Sequence, residues 1–323
     1  MTIDRRTLLA ASLAAAPAGA MAQALPPLSD PETIHLWPGR DGPGLTNAAL
    51  AETVDNRSKD PAQPNRAVAG VRQPRIAAYR PAQPNGAAML VMPGGGYTYL
   101  STDNEGREQA LWMTARGITV FVLHYRLPAE GWRDSANAPL ADAQRAMRLI
   151  RANAARFGID PARVGAMGFS AGGHLCADLA TRFARSVYAP VDAADRLSAR
   201  PAIAAPIYPV VSMDEDLAHA GSRAKLIGAD ATETMVLEHS PDRQVTKDTP
   251  PLFLVHAEDD GTVKVGNAIA LHAAARAMGV PVEMHLFEKG GHGFGTGLRT
   301  AGLPVQMWPQ LFAGWAKGRL LTA

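Results

Sequence analysis

The sequence has almost no cysteine and no strong excess of charge. Its 323 residues include a single cysteine, Cys176, so an internal disulfide is excluded and the fold must be stabilised by its apolar core. The formal net charge is only +2, which gives no electrostatic reason to expect binding to nucleic acid or to an anionic membrane. Ligand spacings such as His-Glu-x-x-His are missing, so we expect neither a catalytic metal nor another cofactor.

Long apolar runs are missing as well, and the one segment typical of export lies at the N-terminus. Residues 1–22 contain Arg5-Arg6 and a mildly apolar, alanine-rich stretch that ends in Ala-Met-Ala. This pattern predicts a signal peptide, either of the twin-arginine type or an ordinary secretory signal with two arginines. The stretch is too short and too weakly apolar to span a membrane. We therefore expect a periplasmic or secreted protein without a membrane anchor, in which residues 23–323 form one domain of unknown oligomeric state.

What is present is an alternation of short apolar strands with amphipathic helices. With 47% hydrophobic residues, the chain can bury a full core as one large α/β domain. One helix carries an apolar stripe from Leu140 to Phe157 and is expected to stop at Gly158. The alternation favours a mostly parallel central sheet with helices on both faces. The predicted strands are residues 87–92, 117–125, 163–169, 202–211, 252–256 and 282–287.

One turn carries the strongest functional signal. Residues 168–172 read Gly-Phe-Ser-Ala-Gly and lie where a predicted strand meets a helical stretch. Gly-x-Ser-x-Gly between a strand and a helix describes a nucleophile elbow, a turn too sharp for large side chains beside the serine. The motif therefore predicts that Ser170 is a catalytic nucleophile. The alternative is a tight turn with an exposed serine.

A serine nucleophile needs a base, and the base needs a carboxylate that orients it. Among nine histidines, His292 is the best candidate because it lies in a glycine-flanked loop after a strand, although a loop histidine in water would look the same. Others, His219 among them, have no catalytic pattern beside them. After such an elbow the acid precedes the histidine along the chain. The strand at 252–256 leads into three acids, of which Asp260 is preferred because a glycine follows it, with Asp259 as runner-up.

A glycine run follows an earlier strand. Residues 93–97 read Pro-Gly-Gly-Gly-Tyr directly after the strand at 87–92. Consecutive glycines allow backbone N–H groups to point at a ligand oxygen. We predict that the N–H groups of Gly95, Gly96 and Ala171 form an oxyanion hole for an acyl-transfer intermediate. A phosphate-binding loop is disfavoured, because the glycine patterns that such loops use are missing.

Together these motifs resemble the α/β-hydrolase superfamily, and within it the bacterial secreted serine esterases that act on acetylated carbohydrates, such as acetyl esterases and acetylxylan esterases. The resemblance implies an α/β-hydrolase fold and hydrolysis of short-chain, in particular acetyl, esters on plant-type oligosaccharides through an acyl-enzyme on Ser170. In one respect the chain departs from the related enzymes, because Pro93 stands where their loop usually begins with histidine. The residues that carry the resemblance are 93–97, 105–106, 168–175, 249–260 and 283–294, within a span from about Ile34 to Leu320.

The resemblance also implies a short lid-like insertion. Residues 209–245 contain two short predicted helices, and related enzymes place such segments over the mouth of the active site. Tyr97 and Trp132 are candidates for the rim of that mouth, because aromatic faces suit sugar rings. A tryptophan packed against a neighbouring loop is the alternative.

Two functions from other classes stay open. A serine peptidase of the prolyl oligopeptidase type would share the order of the triad, but only about fifty residues precede the first clear strand pattern, too few for that family's propeller. A non-catalytic binding protein on the same fold would need none of Ser170, Asp260 and His292. Hydrolysis of a short-chain aryl acetate without cleavage of a proline anilide would separate the three.

Overall fold

The structure, a computed structural model, describes residues 28, 30–60, 63–298 and 300–321, so the predicted signal peptide lies outside the described residues. The strands are β1 (Glu32–His35), β2 (Thr53–Asn56), β3 (Arg66–Ala69), β4 (Arg75–Tyr79), β5 (Ala88–Met92), β6 (Leu100–Ser101), β7 (Thr119–His124), β8 (Val164–Phe169), β9 (Ala204–Ile207), β10 (Leu252–Ala257) and β11 (Val282–Phe287). The helices are α1 (Glu108–Thr114), α2 (Ala138–Ala152), α3 (Ala154–Phe157), α4 (Ser170–Arg182), α5 (Ala220–Ile227), α6 (Glu233–Glu238), α7 (Gly266–Ala277) and α8 (Trp308–Ala316).

Eight strands form the central sheet in the order β1-β4-β7-β5-β8-β9-β10-β11. The last six strands in this order, β7, β5, β8, β9, β10 and β11, run parallel to one another. At the other edge of the sheet, β1 pairs antiparallel with β4, and β4 pairs antiparallel with β7. Side chains of a strand alternate between the two faces of its sheet, and β5 follows this rule. Leu90 and Met92 belong to one buried cluster with residues of α2, α4 and α7, whereas Met89 and Val91 belong to another with residues of α1 and α8. The predicted mostly parallel sheet with helices on both faces is confirmed.

Two predicted elements are shorter than expected. The helix predicted at 140–157 is interrupted at Asn153, whose side-chain amide donates to the backbone oxygen of Leu149. Gly158, with φ of +64°, ends the second part of that helix, α3. The predicted strand at 202–211 ends at Ile207, because Tyr208 adopts φ of +36° and turns the chain out of the sheet. Both breaks depend on local backbone geometry that the apolar pattern alone does not reveal.

A second, smaller sheet lies outside the predicted pattern. β2, β3 and β6 form three antiparallel strands. The loop between β2 and β3 brings Arg57 and Asn65 to the rim of the cavity at the site described below. Within the described part of the chain, none of the helices is both long and apolar enough to cross a membrane.

The parallel strands determine where chemistry can take place. Their carboxyl ends share one edge of the sheet, the edge at which open α/β sheets bind ligands. Directly after β5, β8, β10 and β11 come, in that order, the glycine run, Ser170, the three acids and the loop that holds His292. All four predicted pieces of the site therefore lie at the same edge.

Candidate active site

The turn between β8 and α4 is as sharp as the motif predicts. Ser170 has φ of +53°, a left-handed conformation that few non-glycine residues adopt. A Cβ atom on Gly168 would lie 2.8 Å from Cβ of Cys176, and one on Gly172 would lie 2.7 Å from the carbonyl carbon of Pro93. Both positions therefore exclude any larger residue. The close packing on each side holds Ser170 in its strained conformation at the start of α4.

The structure brings Ser170, His292 and Asp260 together. Oγ of Ser170 lies 2.9 Å from Nε2 of His292, and Nδ1 of His292 lies 2.7 Å from Oδ2 of Asp260. The Asp260 side chain is fully buried, and the His292 side chain is 19% exposed on the cavity side of the loop. In this arrangement the ring donates from Nδ1 to the carboxylate and accepts the serine proton at Nε2, the geometry that activates a serine hydroxyl.

The Asp260 carboxylate has hydrogen-bond partners besides His292. Its Oδ1 accepts from the backbone N–H groups of Thr262 and Val263, at 2.8 Å and 2.9 Å. Its Oδ2 lies 3.1 Å from Nε2 of His256. Burial alone would raise the pKa of Asp260, but the hydrogen bonds from His256 and His292 lower it well below its usual range. The carboxyl is therefore ionised at neutral pH, as an orienting group must be.

The neighbouring acids are directed elsewhere. Asp259 accepts from the backbone N–H groups of Gly290 and Gly291 through Oδ1, at 2.9 Å and 2.8 Å. It therefore anchors the base of the loop that carries His292, and no described hydrogen bond joins it to the imidazole ring. Glu258 is exposed. The structure therefore brings Asp260 to the imidazole of His292 and directs Asp259 to the backbone of the histidine loop.

The glycine run lies beside the serine. Gly95 and Gly96 line the same cavity as Ser170, and neither of their N–H groups donates to another described residue. The N–H of Gly94 is not available to a ligand, because it donates to Oε2 of Glu105 at 2.7 Å. Ala171 lies in the first turn of α4, where backbone N–H groups have no partner within the helix. The three N–H groups predicted to hold an oxyanion are thus all free to meet a ligand.

A buried carboxylate joins the glycine run to the histidine loop. Glu105 is 4% exposed, and its Oε1 accepts from the hydroxyl of Tyr208 at 2.8 Å. The same hydroxyl accepts from the N–H of Gly295 at 3.0 Å, and the Tyr208 ring lies 5.1 Å from the ring of His292. Burial raises the pKa of Glu105, although its hydrogen bonds from Tyr208 and Gly94 act in the opposite direction. Both loops of the site therefore depend on Glu105 and Tyr208, which we call the loop clamp.

Replacing Glu105 with alanine should lower kcat by about 100-fold with little change in KM. Without the carboxylate, the glycine run and the histidine loop would shift by up to about 1 Å, and a misplacement of that size costs about 100-fold in rate. Glu105→Gln should lose less, because its amide oxygen still accepts from Gly94 while the Tyr208 hydroxyl can turn to accept from the amide nitrogen. Steady-state kinetics on an aryl acetate, with thermal melts of both variants, measure this. Full activity in a folded Glu105→Ala variant would contradict the role of the loop clamp.

The site opens into a cavity of about 510 Å³. Two aromatic residues expected at its rim are elsewhere, so that prediction was wrong. Tyr97 is 1% exposed and bonds through its hydroxyl to Nδ1 of His174, and Trp132 is 5% exposed and donates to the backbone of Leu127. Besides Ser170 and His292, the polar and aromatic side chains in the cavity wall include Arg57, Asn65, Tyr99, Ser101, Asn104 and His219.

The predicted insertion reaches the cavity. Its two short helices are α5 and α6, and the residues at the start of α5, His219 and Gly221, line the wall near Gly96. The imidazole of His219 caps α5 by accepting from the N–H of Ser222. The insertion therefore contributes a side chain to the site.

Sequence reasoning missed three residues of this arrangement. Glu105 entered only as part of a resemblance, Tyr208 was placed inside a strand, and His219 was set aside. A signal for Tyr208 exists, because an aromatic hydroxyl at the carboxyl end of a sheet strand lies at the ligand-binding edge. No comparable signal identifies His219, whose position depends on how the insertion folds back.

A metal-binding cluster is not found in the described ranges, where no group of three or more histidine, cysteine, aspartate or glutamate side chains could hold an ion. The site consists of a hydroxyl, an imidazole, two buried carboxylates and backbone N–H groups.

The chain is similar in sequence to a known family and to several known proteins. The family model named BD-FAE matches residues 77–275. The acetylxylan esterase of Xylanibacter ruminicola is 34% identical over 235 residues, which are 69% of this chain and 44% of that protein. The endo-1,4-beta-xylanase B of Butyrivibrio fibrisolvens is 35% identical over 230 residues, which are 71% of this chain and 34% of that protein.

A solved structure extends the similarity to almost the whole chain. The acetyl ester-xyloside bifunctional hydrolase from Caldicellulosiruptor lactoaceticus superposes with a TM-score of 0.74 at 33% identity, over 91% of this chain and 99% of that one. The chain spans less than half the length of the two curated relatives described above.

Proposed function

The chain belongs to the BD-FAE family, and from that premise we propose that it is a serine carboxylesterase that hydrolyses short-chain, mainly acetyl, esters on plant-type oligosaccharides. The observation that carries the proposal is the chain of hydrogen bonds from Ser170 through His292 to Asp260, beside a cavity whose wall includes polar side chains. No cofactor is needed for the reaction.

In the proposed mechanism His292 takes the proton of Ser170 as the hydroxyl attacks the ester carbonyl. Asp260 keeps the ring in the tautomer with Nδ1 protonated and stabilises the imidazolium that forms. The N–H groups of Gly95, Gly96 and Ala171 hold the negative oxygen of the tetrahedral intermediate. His292 then returns the proton to the departing alcohol, and water removes the acyl group from Ser170 by the same steps.

The relatives and the cavity together support a carbohydrate ester as substrate. One relative is an acetylxylan esterase, and the solved structure described above is an acetyl ester-xyloside bifunctional hydrolase. The cavity wall carries hydroxyl, amide, imidazole and guanidinium groups, which suit an alcohol half rich in oxygen. A long acyl chain would instead call for an apolar groove.

Export remains part of the proposal. Arg5-Arg6 and the Ala-Met-Ala pattern at 20–22 support a signal peptide and a periplasmic or secreted location, which suits an enzyme acting on plant polysaccharide.

Two assays on the mature protein test the function. We expect rapid turnover of 4-nitrophenyl acetate and no cleavage of a proline anilide, because the latter is the substrate of a prolyl peptidase. Mass spectrometry of acetylated xylo-oligosaccharides should then show a loss of about 42 Da for each acetyl group removed, because ester hydrolysis replaces that acetyl group with a hydrogen atom. Cleavage of the anilide, or no turnover of either ester, would overturn the proposal.

A further inference from the structure

One imidazole in the cavity wall has no part in the proposed mechanism. His219 lines the cavity together with Ser170 and His292, and its Cε1 lies 3.9 Å from the position that a Cβ atom would take on Gly96. We propose that His219 binds substrate, donating from Nε2–H to an oxygen of the alcohol half of the ester. This inference rests on the proposed function and names the residue that recognises the sugar.

The tautomer of His219 follows from its role in α5. Nδ1 accepts from the backbone N–H of Ser222 at 3.2 Å and lies 2.9 Å from the Ser222 hydroxyl. A ring nitrogen that accepts a backbone N–H carries no proton, so in the neutral ring the proton is on Nε2. Burial lowers the pKa of His219, and the nearby His292 lowers it further, so the ring is neutral at pH 7. Nε2–H donates to no other described residue and is available to a ligand.

The chemistry of an acetyl ester assigns this donor to the alcohol half. The acyl half offers one acceptor, the carbonyl oxygen, and the N–H groups of Gly95, Gly96 and Ala171 are placed to take it. The remaining part of an acetyl group is a methyl group, which accepts no hydrogen bond. The acceptor for Nε2–H of His219 is therefore a sugar hydroxyl or the ring oxygen beside the ester. A cavity of about 510 Å³ has room for that sugar beside the acetyl group.

The test separates binding from helix capping. His219→Asn keeps a capping acceptor, because asparagine is among the preferred N-cap residues, but it removes Nε2–H from the cavity. His219→Ala removes both. Ser222→Ala is the matched control, since it keeps the imidazole and the backbone cap. Each is assayed on 4-nitrophenyl acetate, which has no neighbouring hydroxyl, and on a methyl xyloside carrying a single acetyl group.

We expect His219→Asn to lower kcat/KM on the acetylated xyloside by about tenfold, the size of one lost hydrogen bond, mainly through KM. The same variant should stay within twofold of the parent on 4-nitrophenyl acetate, and Ser222→Ala within twofold on both. If His219→Asn matches the parent on the xyloside while only His219→Ala is impaired, His219 is a helix cap and the inference is overturned. The parent enzyme distinguishes the two failures, because no turnover of 4-nitrophenyl acetate would reject the proposed function itself.

Discussion

Replacing Ser170 with alanine should leave a folded protein that has lost nearly all esterase activity. Removal of the hydroxyl leaves no nucleophile, while the N–H groups of Gly95, Gly96 and Ala171 still bind the carbonyl oxygen. Comparable losses in serine hydrolases leave an acceleration of only about 10³–10⁴ over the reaction in water. The fold should survive, because alanine and serine have similar access to the left-handed conformation at this position. Steady-state kinetics on an aryl acetate and a thermal melt measure both outcomes.

Ser101 provides the matched control for this experiment. It lines the same cavity and is as buried as Ser170, but none of the described hydrogen bonds joins it to His292. Ser101→Ala should therefore keep its rate within a few-fold of the parent. A serine-directed phosphonate should label Ser170 in the parent and in the Ser101 variant. Labelling of a different serine, or activity above a few per cent in Ser170→Ala, would reject Ser170 as the nucleophile.

The second large effect separates two adjacent acids. Asp260→Asn should lower turnover by about 10⁴. At this position two backbone N–H groups, from Thr262 and Val263, point at Oδ1, so the amide oxygen of the variant must lie there. Its NH₂ group then faces Nδ1 of His292 and donates to it. The ring is forced into the tautomer that carries its proton on Nε2, which cannot accept the proton of Ser170.

Asp259→Asn should cost little by comparison. Its amide oxygen can still accept from the N–H groups of Gly290 and Gly291, so only the negative charge is lost. We expect turnover within threefold of the parent and a small loss of thermal stability. Measuring kcat and the melting temperature of both variants side by side decides the question. A larger loss in Asp259→Asn, with both proteins folded, would assign the carboxylate of the triad to Asp259.

The sequence was most informative where chemistry and backbone geometry depend on the same residues. The elbow motif requires glycine on both sides of Ser170, and the structure shows close contacts at Gly168 and Gly172 that explain why. The acids and the histidine follow apolar strands, and strands of parallel sheets end at one edge, so their meeting could be predicted from order alone.

The sequence was least informative in irregular segments. Tyr97 and Tyr99 are two residues apart, and in a regular strand they would share a face. Here Tyr97 has φ of +58° in a loop of glycines, so that Tyr97 is buried while Tyr99 lines the cavity. The insertion that carries His219 is irregular for the same reason, and its approach to the cavity follows from packing between distant parts of the chain.

The loop clamp has a consequence for anyone who wishes to redesign this protein for larger acyl groups. The glycine run is the obvious segment to change, but the N–H of Gly94 donates to the carboxylate of Glu105. The same carboxylate accepts from the Tyr208 hydroxyl, which in turn accepts from the N–H of Gly295 in the histidine loop. A change that moves one loop will therefore disturb the other and cost rate before it changes selectivity. The insertion around α5 has no such link to Glu105 in the described hydrogen bonds, which makes it the safer place to vary in a library.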